Sequence, residues 1–220
     1  MKELTYDELV FGICWYNDPS ILRLLDSLPS EAEKIIIDGK FKFNPNPQEL
    51  SDHSLREAVL NYPNVRLIDA PNLLEPDKRQ IYLTDNLKKY LMIIDSDEYV
   101  LVADWNKFYD FITTLDSGIH HIFFEVDANG GSTTYPRLWV NPSDWKYVKT
   151  HNIFKNEKLG LILKSGFSDG ETCPGLLCSM GDDLRSSEYL KDVYDYQVEM
   201  IKYELPFRHA YRDGDMSPFV

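Results

Sequence analysis

The sequence predicts an α/β protein with a Rossmann-like, mostly parallel central sheet flanked by helices, followed by a mixed C-terminal part. Three observations support this fold class. Within the first half of the 220 residues, four apolar runs alternate with helical patterns, which is typical of a doubly wound parallel sheet. No repeat or low-complexity tract interrupts this order. After residue 104 the alternation gives way to strand-like runs that follow one another.

The first two strands and the helix between them follow from local patterns. The first strand is the apolar run "VFGICWY". The helix after it carries four apolar residues on one face: Ile21, Leu24, Leu25 and Leu28. Asp18 or Ser20 is expected to cap this helix. The second strand, "EKIIID", ends at Asp38-Gly39, which is a turn signal.

The next elements continue the alternation. A helix over "SLREAVLNY" is stopped by Pro63, and "NVRLIDA" is the third strand. The helix "DKRQIYLTDNLKKY" leads into the fourth strand, "LMIID". Beyond it we expect a helix over "DWNKFYDFITTL", strands over "HHIFFEV", "PRLWV" and "LGLILKSG", and a long helix over "LRSSEYLKDVYDYQVEMIKYEL". The pair His120-His121 begins a buried-looking strand and is interpreted as structural.

Charge and composition narrow the class of protein. With 23 basic and 36 acidic residues the net charge is −13, which argues against binding to nucleic-acid backbones. Phosphate-bearing small molecules remain compatible, because a bound divalent cation reverses the local sign. The N-terminus "MKELTYDELVF" is too acidic and too short in apolar content for a secretory signal, and no uninterrupted apolar run approaches the ~20 residues of a membrane span. We therefore expect a soluble, cytoplasmic protein whose three cysteines are free thiols.

The stretch "YLMIIDSDEYV" directs a buried strand at four polar side chains: Asp95, Ser96, Asp97 and Glu98. In an open parallel sheet, ligands bind outside the carboxyl ends of the strands. Asp95 and Asp97 lie on one side if the backbone stays extended. Two such carboxylates suit Mg²⁺ or Mn²⁺, which share their coordination with substrate phosphates. The alternative interpretation is a solvated turn after a strand.

Several motifs together resemble the nucleotide-sugar-dependent glycosyltransferases of the GT-A fold, especially the family 2-like group. "IIDSDEYV" matches the D-x-D strand of that family, and "ICWYND" is similar to its first-strand motif. "IIIDGKF" keeps one aspartate, Asp38, where the family often has two. "DKRQIYLTD" and "YPRLWVNPSDWKYVKTHN" are similar to the helix before the D-x-D strand and to a later segment that ends in a histidine. The likeness spans about residues 8–155.

The resemblance implies a single GT-A-like catalytic domain over residues 1–220, either alone or as a module of a longer protein. Its halves would be a nucleotide-binding half, 1–104, and an acceptor-side half, 105–220. The implied donor-binding residues are Cys14, Tyr16, Asn17, Asp38, Lys78, Arg79, Asp95 and Ser96. The implied ligands of Mn²⁺ or Mg²⁺ are Asp95, Asp97 and His151.

Each implied role has a physical rationale. Tyr16 would stack on the nucleobase, the backbone near Cys14 would meet the base edge, and Asp38 would accept from base or ribose. Arg79, with Lys78 as the alternate, would reach the diphosphate or orient the acidic loop. Structural alternatives remain open: Tyr16 covers the core, Asp38 forms a turn, and Arg79 is a solvated helix residue.

The catalytic base is less well determined. An inverting transferase needs a carboxylate that takes the proton of the acceptor hydroxyl. Asp127, Asp169 and Asp182 are the candidates, with Glu171 and Asp183 as alternatives. Asn152 stands where the family often has an acidic residue after the late histidine, so inverting and retaining mechanisms both remain open.

The leading functional hypothesis is a metal-dependent hexosyltransferase. It would move a hexose from a nucleoside diphosphate sugar, with a UDP-sugar favoured, to a hydroxyl acceptor on a glycan or glycoconjugate. One alternative is a sugar-phosphate nucleotidyltransferase, but "WYNDPS" lacks the glycines and basic residues expected of its phosphate loop. The other alternative is a non-catalytic module that binds nucleotide sugars.

Overall fold

In a computed structural model of the chain, the structure describes most of the first 179 residues. The described ranges are 6–125, 132–148, 150–156, 158–159, 161–164 and 171–179, together with the single residues 199, 202 and 203.

The described residues form four α-helices and eleven strands. The helices are α1 (Ile21–Ser27), α2 (His53–Leu60), α3 (Glu75–Thr84) and α4 (Trp105–Ile112). The first five strands are β1 (Leu9–Trp15), β2 (Glu33–Asp38), β3 (Val65–Asp69), β4 (Tyr90–Ile93) and β5 (Tyr99–Ala103). The others are β6 (Gly118–Glu125), β7 (Ser132–Val140), β8 (Trp145–Val148), β9 (Thr150–Asn156), β10 (Leu161–Lys164) and β11 (Thr172–Ser179).

Eight strands form one mixed sheet in the order β3-β2-β1-β4-β7-β6-β11-β5. The first four run parallel, and they are the four strands that the alternating pattern predicts. Beyond β4 the pairing is mixed: β7 is antiparallel to both of its neighbours, whereas β11 is parallel to β6. The predicted fold class, a mostly parallel sheet flanked by helices and followed by a mixed part, is confirmed.

Apolar residues pack on both faces of this sheet. One buried cluster joins the sheet to α1, α2 and α4, as the side chains of Leu24, Val59 and Phe108 illustrate. The second cluster joins the opposite face to α3 and to a smaller sheet of order β10-β9-β8, through Tyr82 and Trp145. The molecule therefore has three layers, with most of the large sheet buried in the middle.

The topology creates a crevice beside β1. The chain moves from β1 outward to β2 and β3, and then returns to the other side of β1 as β4. Such a switch point is where open α/β sheets bind ligands. The pairing of β1 with β4 ends at Gly12 and Ile93, while β1 continues to Trp15. The last residues of β1 thus run past the end of β4 along the crevice.

Some expectations need correction. The residues after the acidic motif form β5, which the sequence pattern did not predict, at the far edge of the sheet. Ser20 precedes α1 without a side-chain capping bond. Asp18 instead accepts from the Ser20 amide at 2.9 Å, which closes the turn before the helix. The predicted long C-terminal helix lies almost wholly outside the described residues.

Two other expectations, on His120 and on the cysteines, are confirmed. His120 has a structural role, because its ring bonds to the Ser117 carbonyl at 2.9 Å and accepts from the Glu171 amide at 3.1 Å. The three cysteines are free and buried. Among the described residues, no helix has the length and apolar character needed to cross a membrane.

Candidate functional site at the carboxyl ends of the strands

The ends of β2 and β3 carry a charged cluster. Asp38, the last residue of β2, is fully buried, and its carboxylate accepts from the hydroxyl of Ser51 at 2.6 Å and from the guanidinium of Arg56. The same guanidinium donates to Asp69, the last residue of β3, at 2.7 Å. Parallel pairing in register brings the two aspartates side by side, so that a single arginine can bridge them. A base or ribose would have to displace Ser51 or Arg56 to reach Asp38.

The end of β1 lies beside this cluster. Tyr16 is 2% exposed, and its hydroxyl donates to the Gln48 carbonyl at 2.7 Å. A nucleobase can therefore stack on Tyr16 only if the segment around Gln48 moves. Asn17 adopts a left-handed conformation with φ 49°. Its side-chain carbonyl accepts from the Asp52 amide at 2.7 Å, which ties this loop to the start of α2.

Lys78 does not face the crevice. It is fully buried, its ammonium group donates to the Gly39 carbonyl, and it lies 4.3 Å from the centroid of the Phe41 ring. Burial lowers its pKa to about 8, although Cys14, Asp38 and Glu75 act in the opposite direction. Cys14 is also buried, and burial raises the pKa of its thiol to about 11. This arrangement therefore does not support Lys78 as a contact to the diphosphate.

The buried ammonium of Lys78 gives a testable pH dependence. The unfolded chain keeps this proton up to the ordinary lysine pKa of 10.5, whereas the folded protein releases it at about 8. The unfolded state therefore binds more protons between these values, and the free energy of unfolding should rise with pH there. Relative to Lys78→Met, the wild type should gain roughly 1 kcal/mol per pH unit between pH 8 and 10. Urea unfolding of both proteins measures this gain. The cysteine thiols also titrate at alkaline pH, but they are present in both proteins. Parallel pH profiles would contradict the prediction.

The acidic motif forms a tight turn rather than an extended segment. The Glu98 amide donates back to the Asp95 carbonyl at 3.0 Å, which closes a four-residue turn over residues 95–98. We call these residues the acidic turn. The extended backbone that would place Asp95 and Asp97 on one side is therefore wrong. Glu98, only 2% exposed, accepts from the Asp95 amide at 2.8 Å and so braces the turn from inside.

Two arginines hold the acidic turn. Arg79 donates to one carboxylate oxygen of Asp95 at 2.6 Å, and Arg137 donates to the other at 2.9 Å. Burial opposes ionisation of Asp95, but Arg137 and Arg79 more than offset it and hold its pKa well below the usual range. Arg137 also pairs with Glu98. Burial raises the pKa of Glu98 to about 8 in spite of that partner, with help from the negative charges of Asp95 and Asp97.

A β-bulge presents Arg137 to the turn. In the pairing of β6 with β7, His120 lies opposite Leu138 while His121 lies opposite Pro136, so Arg137 is the additional residue. A bulge of this kind redirects a side chain, and it also tolerates a proline inside a sheet. The resemblance motif "YPRLWV" contained this arginine, but nothing in the local pattern distinguished it from a solvated one. Arg56 and Glu98 were missed for the same reason.

The other residues of the turn have different environments. The Ser96 hydroxyl donates to Asp18 at 2.9 Å, which links the acidic turn to the loop after β1. Asp97 is half-buried. Among the described residues, no group of three or more histidine, cysteine or acidic side chains is arranged to hold a metal. Mg²⁺ commonly needs only one or two carboxylates besides phosphates and water. Asp97 can supply one such carboxylate, and both oxygens of Asp95 face arginines.

A cavity opens beside Asp95, with a volume of about 270 Å³. Its charged lining residues are Glu75, Arg79, Asp95 and Arg137. Its apolar and aromatic lining residues are Ile93, Tyr135, Pro136, Trp139, Tyr147 and Phe154. The cavity therefore combines fixed hydrogen-bonding groups with aromatic side chains at the carboxyl end of β4.

Other predicted site residues cannot be placed. Asp127, Asp169 and Asp182 lie outside the described residues, as does the alternative Asp183. The backbone of His151 belongs to β9, but its side chain is outside the described part. Glu171 is described: its carbonyl accepts from the His121 amide at 3.0 Å, level with the middle of β6 rather than with its carboxyl end.

The fold and the site thus define an α/β protein with a charged crevice at the switch point of its sheet. No protein-family model matches the sequence, and neither does any curated protein. Solved structures of TarS from S. aureus are similar to this chain. One has 19% identity and a TM-score of 0.41, covering 57% of this chain and 23% of TarS.

TarS 1-349 in complex with UDP-GlcNAc has 20% identity and a TM-score of 0.42, covering 56% of this chain and 36% of that one. Its complex with UDP has the same identity and TM-score, covering 56% and 37%. This chain therefore spans well under two thirds of each TarS chain, and the activity, substrates and partners of the whole protein are matters for proposal.

Proposed function

We propose that this chain is the catalytic domain of a glycosyltransferase that moves a hexose from a nucleoside diphosphate sugar to a hydroxyl acceptor. A UDP-sugar is the favoured donor, and the acceptor is a glycan or glycoconjugate. One observation carries the proposal: the acidic turn lies at the switch point of the sheet, held by Arg79 and Arg137 beside a cavity. This is the place where open α/β sheets bind ligands.

The nucleoside would occupy the ends of β1, β2 and β3. Arg56 and Asp69 are both partly exposed there, with side-chain exposures of 20% and 53%. A guanidinium and a carboxylate together offer the donors and acceptors that a base edge and ribose hydroxyls require. Asp38 would then orient Arg56 from behind, and the backbone of β1 near Cys14 would line the other side.

The diphosphate would lie near Asp97. We propose Asp97 as the main ligand of Mn²⁺ or Mg²⁺, with His151 as a further ligand. Such an ion, when bound, neutralises negative charge on a departing diphosphate. Asp95 is proposed to contact the ribose or a metal-bound water rather than the ion itself, because Arg79 and Arg137 already face its two oxygens. Arg79 thereby orients the acidic turn, which is one of the two roles that the resemblance implies for it.

The acceptor would approach from the half of the chain beyond residue 104. Asp127, Asp169 and Asp182 remain the proposed carboxylates for removing the proton of the acceptor hydroxyl. Their replacement by asparagine, one at a time, separates a base from a residue that only binds the acceptor.

The role of Asp97 is tested by Asp97→Asn. Mn²⁺ should strengthen binding of UDP or GDP to the wild type by about 10–100-fold, and this gain should vanish in the variant because the amide is a poor metal ligand. Calorimetric titration with Mn²⁺ and with EDTA measures the gain. Asp110→Asn, an exposed change on α4, is the matched control and should keep it. An undiminished gain in Asp97→Asn would remove the assignment.

The reaction class is tested by incubating the protein with nucleotide sugars and Mn²⁺. Slow release of UDP or GDP supports a transferase. Exchange of labelled pyrophosphate into the nucleotide sugar would instead identify a nucleotidyltransferase. Binding without either reaction would identify a non-catalytic module.

A further inference from the structure

Four charged residues line the cavity beside Asp95, and their positive and negative charges are equal in number. Arg79 contacts Glu75 at 2.8 Å and Asp95 at 2.6 Å. Arg137 contacts Asp95 at 2.9 Å and also pairs with Glu98. Two carboxylates of the cavity lining, Glu75 and Asp95, therefore face two guanidinium groups, and Glu98 lies outside the lining. The cavity has no excess positive charge to attract an anionic group.

The charged groups of the cavity are also shielded from water. The side chains of Arg79, Arg137 and Glu75 are 11%, 13% and 18% exposed, and that of Asp95 is 33% exposed. An additional carboxylate entering this space would have to break an existing ion pair or stay uncompensated where solvation is poor, and both are costly. Hydroxyl groups avoid this cost, because each can donate to a carboxylate and accept from a guanidinium.

Two buried donors in the cavity wall lack acceptors. The indole N–H of Trp139 and the Nε–H of Arg137 have no hydrogen-bond partner among the described residues. Trp139 is only 1% exposed, and both residues line the cavity. Buried N–H groups are rarely left unpaired in folded proteins. Neither nitrogen is exposed in this structure, so a ligand that brings acceptor oxygens into the cavity would satisfy them after a small rotation of these side chains.

The remaining wall is aromatic and the space is small. The ring centroids of Trp139 and Phe154 are 4.7 Å apart, and those of Tyr147 and Phe154 are 5.1 Å apart. These rings pack edge-to-face on one another, so the half-buried rings of Tyr135 and Tyr147 are the ones that can meet the C–H bonds of a sugar ring. The volume of about 270 Å³ lies just below the ~300–1,000 Å³ of pockets for drug-sized ligands. It suits one monosaccharide rather than an oligosaccharide.

We infer that this cavity binds the sugar ring of the donor and selects an uncharged hexose over a hexuronic acid. The inference rests on the proposed function and deepens it, because it names the class of sugar. Trp139 and Arg137 act as specificity-determining residues, with their free N–H groups donating to sugar oxygens. Glu75 accepts from a sugar hydroxyl.

The test compares donors that differ only at C6. Binding of UDP, UDP-glucose and UDP-glucuronate, and of the corresponding galactose pair, is measured by calorimetry with Mn²⁺. We expect at least one neutral donor to bind about tenfold more tightly than its acidic counterpart and more tightly than UDP. Equal or tighter binding of the acidic sugars would overturn the inference. So would neutral donors that bind no better than UDP.

A variant tests whether the preference for a neutral donor depends on the cavity wall. Trp139→Phe keeps an aromatic ring but removes the N–H, so it should weaken binding of the neutral donor about fivefold or more while leaving UDP unchanged. Trp145→Phe is the matched control: Trp145 is equally buried and 5.9 Å from Trp139 between ring centroids, but it is not part of the cavity lining. Equal effects of the two changes would overturn the role of Trp139. The wild-type comparison decides the inference if Trp139→Phe does not fold.

The outcomes separate this inference from the proposed function. If neither UDP nor GDP binds the wild type, with or without Mn²⁺, the proposed function fails and the inference fails with it. If UDP binds but neutral and acidic sugars are not distinguished, the inference fails while the proposed function stands.

Discussion

Arg137→Met is expected to lower the free energy of unfolding by about 3–5 kcal/mol, as measured by urea denaturation. The guanidinium of Arg137 donates to Glu98, which is 2% exposed, and shares Asp95 with Arg79. Methionine keeps most of the apolar stem but leaves the buried Glu98 oxygen without its donor and Asp95 with one cation instead of two. The cost arises from these unsatisfied buried oxygens rather than from the lost attraction alone.

A surface arginine provides the comparison for Arg137. Arg66 pairs with Asp85 and Glu33, but its side chain is 41% exposed, so Arg66→Met should cost less than about 1 kcal/mol. Adding Glu98→Gln to Arg137→Met should restore part of the lost stability, most clearly at alkaline pH, because the amide cannot ionise in the buried site. If Arg137→Met were as mild as Arg66→Met, the acidic turn would not depend on a buried ion pair.

Gly39→Ala is expected to lower the free energy of unfolding by about 2–5 kcal/mol. Gly39 follows Asp38 with φ +128°, a conformation that side chains disfavour. A Cβ placed there would lie 2.8 Å from the backbone N and Cα of Pro71. Backbone atoms cannot move aside as a flexible side chain can, so the turn that carries the ends of β2 and β3 would have to shift.

The control for Gly39→Ala isolates the backbone clash. Gly118 has a similar φ, +107°, but a Cβ there would meet only the His120 side chain, at 3.3 Å. Gly118→Ala should therefore cost about 1–3 kcal/mol, from conformational strain alone. Chemical denaturation of both variants measures the difference, and a smaller loss for Gly39→Ala than for Gly118→Ala would contradict the close approach of Pro71.

The approach of Arg79 to Asp95 was within reach of the sequence. Arg79 lies near the start of the helix before the D-x-D strand, and Asp95 lies just beyond the end of that strand. Because such a helix runs antiparallel to the strand that follows it, its start and the end of the strand lie at the same edge of the sheet. The structure joins Arg79 and Asp95 at 2.6 Å. Arg137 is different, because it comes from an antiparallel strand inserted beside β4, and its direction depends on a bulge. No local pattern indicates a bulge at this position.

Among the first 104 residues, the strand ends follow from the sequence, whereas the burial of the side chains at those ends does not. The strand ends at Cys14, Asp38 and Asp69 follow from apolar runs, and the structure aligns them along one edge. Whether a side chain at such an end faces solvent or the interior depends on the loops that cover it. Tyr16 is covered by the segment around Gln48, and Lys78 by the turn at Gly39. Loops of this length carry no periodicity from which their course can be predicted.

The order of apolar and polar residues along the chain was sufficient to determine four parallel strands, their helices and the edge where carboxylates collect, because hydrophobic periodicity acts over a few residues. Tertiary structure alone decided that β5 lies at the far edge, that Arg56 bridges Asp38 and Asp69, and that Arg137 completes the acidic turn. Those features depend on register and packing between segments that are distant in the sequence. Such contacts stabilise the protein only when the whole sheet has formed.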